Sequence, residues 1–159
     1  VSVRDAVRAD LGRLVDLENE SFAPDIRSSR GSIAHSLTSP HQRVRVACDR
    51  ETQEILGASV VFRHRHTMRL YSIAVTGAAR GRGIGAALVQ DALELASEVG
   101  CSTLSLEVDE GRSRLVEWYV SLGFVPNARL SDYYGPGRDG LRMARAVPGS
   151  STADGPPPG

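Results

Sequence analysis

The hydrophobic pattern changes its period several times along the chain, and each change predicts an element. Ser2 to Val7 predicts an opening strand. Leu11, Leu14, Val15 and Leu17 then recur at helical spacing behind Asp10, read as the N-cap, and Pro24 lies beyond the end of that helix. A weaker helix is expected from Ser29 to Leu37, with Ile33 and Leu37 on one face and Ser39-Pro40 closing it. From Arg43 to Asp49 the period drops to two, with Val44, Val46 and Cys48 on one face and Arg43 and Arg45 on the other, which predicts a half-buried strand. Ile55 to Arg65 reads as the next strand, a turn follows near His66-Thr67, and Leu70 to Val75 is a short apolar run of buried-strand type.

Beyond this point Ile84, Leu88, Ala92, Leu95 and Val99 form a long helical stripe stopped by Gly100. Thr103 to Val108 predicts a strand whose Leu104, Leu106 and Val108 face away from Ser105 and Glu107. Ser113 to Leu122 predicts a short helix, Gly123-Phe124-Val125 opens another strand, and Leu141 to Val147 is the last. The order β-α-α-β-β-β-α-β-α-β-β implies an α/β fold built on a mixed sheet flanked by helices. Residues 1–147 are expected to form one domain, and residues 148–159, rich in Pro, Gly and Ser, a disordered tail.

The stretch from Leu70 to Ala86, LYSIAVTGAARGRGIGA, organises the rest. A strand, a glycine-rich turn and a helix start in this order make a cradle for phosphate. Glycine lets the backbone approach an anion, and the first-turn N–H groups point at it.

Composition narrows the ligand's identity. The 159 residues carry 19 basic and 19 acidic side chains, and a formal net charge of zero argues against a nucleic-acid-binding module. No run approaches the roughly 18 apolar residues of a membrane span, and no signal-peptide core opens the chain, so a cytoplasmic protein without membrane contact is expected. Every basic residue is arginine. This fits the codon bias of a GC-rich genome, with avoidance of self-modification at lysine as the functional alternative. Cys48 and Cys101 lack a CxxC pattern and read as packed thiols. His64 and His66 are placed on one face at a solvated hairpin end, His35 and His41 on the surface, and no third ligand completes a metal site.

Gly81-Arg82-Gly83-Ile84-Gly85-Ala86 also fits the dinucleotide fingerprint, with Glu107 near the distance of a ribose-binding acid. The context opposes that reading. A dinucleotide fold starts with such a unit and adds parallel strands after it, whereas here three strands come before.

Arg80-x-x-Gly83-x-Gly85 followed by an apolar helix resembles the Arg/Gln-x-x-Gly-x-Gly/Ala motif of the GNAT acetyltransferases. IAV at 73–75, SLEV at 105–108 and EWYVSLGF at 117–124 extend the likeness, the last block toward the branch containing the ribosomal-protein alanine acetyltransferases. The resemblance implies a GNAT fold with a central, mostly antiparallel mixed sheet, and transfer of an acetyl group from acetyl-CoA to an amine. It also implies backbone contacts from Ile73, Ala74 and Val75 to the pantetheine arm. Arg80, Gly81, Arg82, Gly83, Ile84, Gly85 and Ala86 would hold the pyrophosphate. Arg112 stands where that branch often has an asparagine that contacts CoA.

Acyl transfer to an amine has two proton problems. An α-amino group with a pKa near 8 must shed a proton before it attacks, and a departing thiolate, pKa roughly 8.5, is helped by an acid. Glu107 is the candidate base, acting through a water, and Tyr119 the candidate acid; both coincide with positions given these roles in the resembling branch. Tyr133 and Tyr134, in the loop before the last strand, are the expected substrate-positioning groups. The region Phe22-Ala23-Pro24-Asp25 is the expected second wall. Neither cysteine lies near the motif positions, so direct transfer in a ternary complex is expected, by a monomer or homodimer. The favoured acceptor is a protein or peptide N-terminus. The alternatives are a small-molecule amine, or a non-catalytic CoA-binding regulatory module.

Overall fold

The computed structural model describes residues 1–149; the disorder expected for the tail after Gly149 lies outside the described residues. Seven strands and four α-helices follow the predicted order: β1 Ser2–Asp5, α1 Leu11–Ser21, α2 Arg30–Thr38, β2 Gln42–Cys48, β3 Ile55–His64, β4 Thr67–Val75, α3 Ile84–Glu98, β5 Thr103–Asp109, α4 Ser113–Ser121, β6 Val125–Leu130 and β7 Gly140–Ala146. The strands form a single sheet in the order β1-β2-β3-β4-β5-β7-β6. It is mixed and mostly antiparallel. The parallel pairing is that of β4 with β5, in which Thr67, Met68 and Arg69 stand opposite Thr103, Leu104 and Ser105. Two compact units divide the chain: Val1–Phe62 with Leu70–Ala92, and Arg63–Arg69 with the chain from Leu93 onward.

In the first unit, β2, whose alternation was read from the sequence, and β3 present two opposite faces. Val44, Val46 and Ala58 pack under Leu14 and Leu17 of α1, with Ile33 and Leu37 of α2 joining at the edge. Ala47 and Leu56 pack with Ala79, Ile84 and Leu88, and Ile73 and Val75 lie against them. Gly57 has no room for a side chain. A Cβ there would stand 2.9 Å from the Ala74 carbonyl oxygen and 3.0 Å from Ile84. A cavity of about 140 Å³ lies between the α1–α2 layer and β2–β4, with Glu18, Ser32, Ser36 and Gln42 among its lining.

The same unit covers an ion pair. Arg45 donates to both oxygens of Asp91 on α3, at 2.9 and 2.8 Å, and its third nitrogen reaches Asp5 at 3.0 Å. Arg45 and Asp91 are 13 and 10 % exposed, so this is a largely desolvated two-pronged bond between strand and helix.

In the second unit, Leu104, Leu106, Val108 and Met143 are buried, as the alternation of β5 requires. Tyr119 of α4 packs edge-on against Phe124, with ring centroids 5.6 Å apart. Arg145 of β7 donates to the carbonyl of Leu122 at the end of α4. Gly100 takes the left-handed conformation, φ +80°, and Cys101 N–H returns to Ala96 O at 2.8 Å, which closes α3 as predicted.

Several boundaries differ from the expectations, for local reasons. Asp10 stands at the N-cap position of α1, as expected, but its side chain makes no capping bond. Its carboxylate turns back to accept from Val7 N–H and Arg4, so a short 3-10 turn, Arg8–Asp10, leads into the helix. His66 sits in the turn after β3 and not on its face, because Arg65 adopts φ +57° and reverses the chain. Gly123-Phe124 belongs to the end of α4: Gly123 has φ +94° and Phe124 N–H bonds to Tyr119 O, so β6 starts at Val125. Both cysteines are buried and free, as expected.

Gly57→Ala is expected to cost about 1–3 kcal/mol, since the nearest obstacle is backbone and cannot swing aside. Asp91→Ala, which leaves the covered guanidinium with only the exposed Asp5 as a partner, is expected to cost on the order of 3 kcal/mol. Urea unfolding of the two variants measures both.

Candidate functional site

The glycine-rich segment is built from β4 outward. Thr76 N–H bonds to Leu56 O, and Glu20 at the end of α1 accepts from both the Thr76 hydroxyl and Gly77 N–H at 2.7 Å. These two hydrogen bonds hold the Glu20 carboxyl below its usual range. A 3-10 turn, Gly77–Ala79, follows; the break in the apolar run is its only mark in the sequence. Gly81 and Gly83 then take φ +82° and +79°, which a side chain would strain, while the space around them is open. The first α-helical bond of α3 runs from Ala87 N–H to Gly83 O. The amides of Ile84, Gly85 and Ala86 lie ahead of it and have no partner within the helix. Arg80 and Arg82 precede these amides in sequence, and Arg82 reaches Asp49 at 3.7 Å. Open amides at a helix start, with room around two left-handed glycines and two arginines just ahead, are what a pyrophosphate needs. Ile73 and Val75 are partly buried, packed as ordinary strand residues against the Ala47–Leu56–Leu88 cluster.

The second unit gathers the other candidates. Glu107 of β5 faces away from Leu106 and Val108, as read, yet its side chain is only 6 % exposed. Two arginines cover it: Arg69 Nε donates to Oε1 at 2.6 Å and Arg142 Nε to Oε2 at 2.9 Å. Arg142 stands directly opposite Glu107 in the β5–β7 register, and Arg69 opposite Ser105, one pleat away. Arg69 also donates to the Tyr133 hydroxyl at 3.1 Å. Neither arginine was foreseen. A charged residue inside each of the strands RLYSIAV and LRMARA was the available signal, but only the register joins them to Glu107.

Tyr133 and Tyr134 lie in the loop between β6 and β7, with ring centroids 4.9 Å apart. The loop is tied down by Asp132 N–H to Asp139, Gly137 N–H to Asp132, and Tyr134 N–H to Arg138 O. Tyr119 is buried against Trp118 and Phe124. Burial pushes its hydroxyl up to about 12, with Arg112 pulling the other way and Tyr134 adding to the rise. Tyr134 is also pushed up to about 12, by burial first, then by Tyr133, Glu107 and Asp109. Arg112 occupies the N-cap position of α4 without a side-chain capping bond. Among the described residues no group of three His, Cys, Asp or Glu side chains could hold a metal ion, and no helix is long and apolar enough to cross a membrane.

Comparison with known proteins gives these parts a common context. N-alpha-acetyltransferase MAK3 of Arabidopsis thaliana is 36% identical over 87 residues, 54% of this chain and 46% of that protein, so the match spans less than half of that relative's length. The fold is that of the ribosomal-protein-S18-alanine N-acetyltransferase of Escherichia coli, with a TM-score of 0.80 and 20% identity over 92% of this chain and 93% of that one. It is also that of the ribosomal-protein-alanine N-acetyltransferase of Brucella melitensis, with a TM-score of 0.77 and 25% identity over 92% of this chain and all of that one. The profile of the Acetyltransferase (GNAT) family matches residues 11–124, a span that includes the glycine turn, Glu107 and Tyr119. The chain therefore belongs to the GNAT family of acetyltransferases, enzymes that use acetyl-CoA to acetylate amines.

Proposed function

We propose that residues 1–147 act as one acetyltransferase domain that passes an acetyl group from acetyl-CoA to the α-amino group of a protein or peptide, by direct attack in a ternary complex. The observation that supports this reading best is Glu107: a carboxylate covered by a sheet face, held at both oxygens, beside a tyrosine-bearing loop. The likeness to N-terminal and ribosomal-protein acetyltransferases supports the choice of acceptor.

In this reading the amides of Gly81 to Ala86, with Arg80, Arg82 and Arg112, bind the CoA phosphates, and the backbone of Ile73 to Val75 aligns the pantetheine arm. The bound thioester supplies an activated acyl group. Glu107, through a water, takes the proton that the acceptor ammonium sheds. The amine nitrogen then bonds to the acyl carbon as the carbon–sulfur bond breaks, Tyr119 gives its proton to the departing sulfur, and the second proton that the nitrogen sheds on becoming an amide restores the Tyr119 hydroxyl. Burial suits Tyr119 to that task, because a hydroxyl pushed up to about 12 still carries its proton at neutral pH. Tyr133 and Tyr134 orient the acceptor backbone.

Calorimetry is expected to show acetyl-CoA binding, and a panel of peptides and small amines is expected to show turnover on peptide α-amines. A protein that binds neither CoA nor acetyl-CoA contradicts the reading, and turnover confined to small amines overturns the choice of acceptor. Glu107→Gln and Tyr119→Phe should each lower kcat by on the order of a hundredfold with CoA affinity little changed; a fully active double variant removes both roles.

Tyr119 also gives a stability prediction. The fold favours the neutral phenol, so its contribution is complete below the unfolded pKa near 10 and disappears as pH rises through about 12. Urea unfolding between pH 8 and pH 12 should therefore show an alkaline loss, and Tyr119→Phe should remove on the order of 2 kcal/mol of it.

A further inference from the structure

Two arginines cover Glu107, and one of them, Arg142, keeps donors to spare. Two guanidinium groups face one carboxylate, and the neighbouring charges are occupied with each other: Arg138 pairs with Asp109, and Arg129 with Glu110 and Asp139. Arg142 engages Glu107 through Nε alone. Its two terminal nitrogens make no hydrogen bond to a described residue, and its side chain is 45 % exposed. The direction in which it is open follows from the strand. Gly140 and Arg142 share one face of β7, and Tyr133 packs on Gly140, where a Cβ would meet its ring. Arg145 points to the other face, where it bonds to the end of α4. The free fork of Arg142 therefore opens on the face that carries Glu107, Arg69 and the half-exposed Tyr133.

We propose that Arg142, backed by Arg69, reads an anionic group on the acceptor close to the reacting amine. The proposal rests on the reading of Glu107 as the group that receives the amine's proton. An amine within hydrogen-bonding reach of Glu107, directly or through one water, lies only a few ångströms from the open guanidinium nitrogens. Successive residues of a peptide are about 4 Å apart. The matching chemistry is a carboxylate on the first or second residue of a peptide, or the carboxylate of a free amino acid. The two terminal nitrogens of a planar guanidinium present a fork that can take a carboxylate through both oxygens. A basic residue at the same position of the acceptor would meet like charge and be disfavoured.

The test compares kcat/KM for peptides that differ only in carrying Glu, Gln or Arg at the second position, with free glutamate and its diamide as a separate arm. The wild type is expected to favour the Glu peptide over the Gln peptide by about tenfold, with the Arg peptide lowest, and the preference should shrink as salt is raised. Arg142→Gln is expected to bring the Glu-to-Gln ratio to within about twofold of one whatever the absolute rates, and Arg142→Lys to restore part of it. Preference for glutamate over its diamide, without discrimination among the peptides, assigns the carboxylate to a free amino acid. Equal use of all acceptors, or a ratio that survives Arg142→Gln, overturns the proposal. The same peptides, N-acetylated, are to be titrated by anisotropy into CoA-loaded protein. If no acceptor turns over, the proposed activity fails, while tighter binding of the acidic product, lost in Arg142→Gln, still upholds the anion site, and equal binding removes it.

Discussion

Taking an ionised group out of water is costly unless another charge meets it at hydrogen-bonding distance, and the arrangement of strands and helices in this chain follows from that constraint at two places. In the first unit, Asp91 on α3 is covered, and Arg45 of β2 meets it with two parallel bonds. That pair fixes the helix against the strand in one rotational setting. In the second unit, Glu107 is covered, and Arg69 and Arg142 meet one oxygen each. Both solutions depend on the planar guanidinium, the only side-chain cation this chain uses apart from histidine.

How far the sequence could be read depended on the range of the forces involved. The elements were legible because burial imposes periods of two and of 3.6, and the strand-turn-helix cradle because glycine and a helix start have local signatures. Ends of elements were less legible. Asp10 has the composition of a cap, but it is drawn backward by Arg4 and Val7 N–H. Gly123 reads as the start of a strand, but it terminates a helix. The partners of Glu107 were not legible at all. Arg69 and Arg142 lie 38 and 35 residues away in sequence, and nothing short of the sheet register specifies which strand residues face one another. The cavity beside Glu18, Ser32 and Ser36 had no sequence signature for the same reason.

The second unit sets two neutral phenols near a paired carboxylate. Tyr119 is buried and Tyr134 half-buried in surroundings that hold them neutral, while Glu107 is met by two cations. Such a division suits a reaction that must remove a proton from one partner and deliver one to another. The loop holding Tyr133 and Tyr134 is fixed by its own hydrogen bonds and by Arg69, so the groups proposed to meet the acceptor are set in place beforehand.

Gly57 acts on the cradle without touching any ligand. Its bare Cα lets the Ala74 carbonyl and the Ile84 side chain close over β3, and Ile84 is the residue with which α3 begins. Widening that contact by the breadth of one methyl group would push the start of the helix outward and carry the Gly85 and Ala86 amides with it. The geometry of the proposed anion cradle is thus set from beneath, by a side chain that is missing.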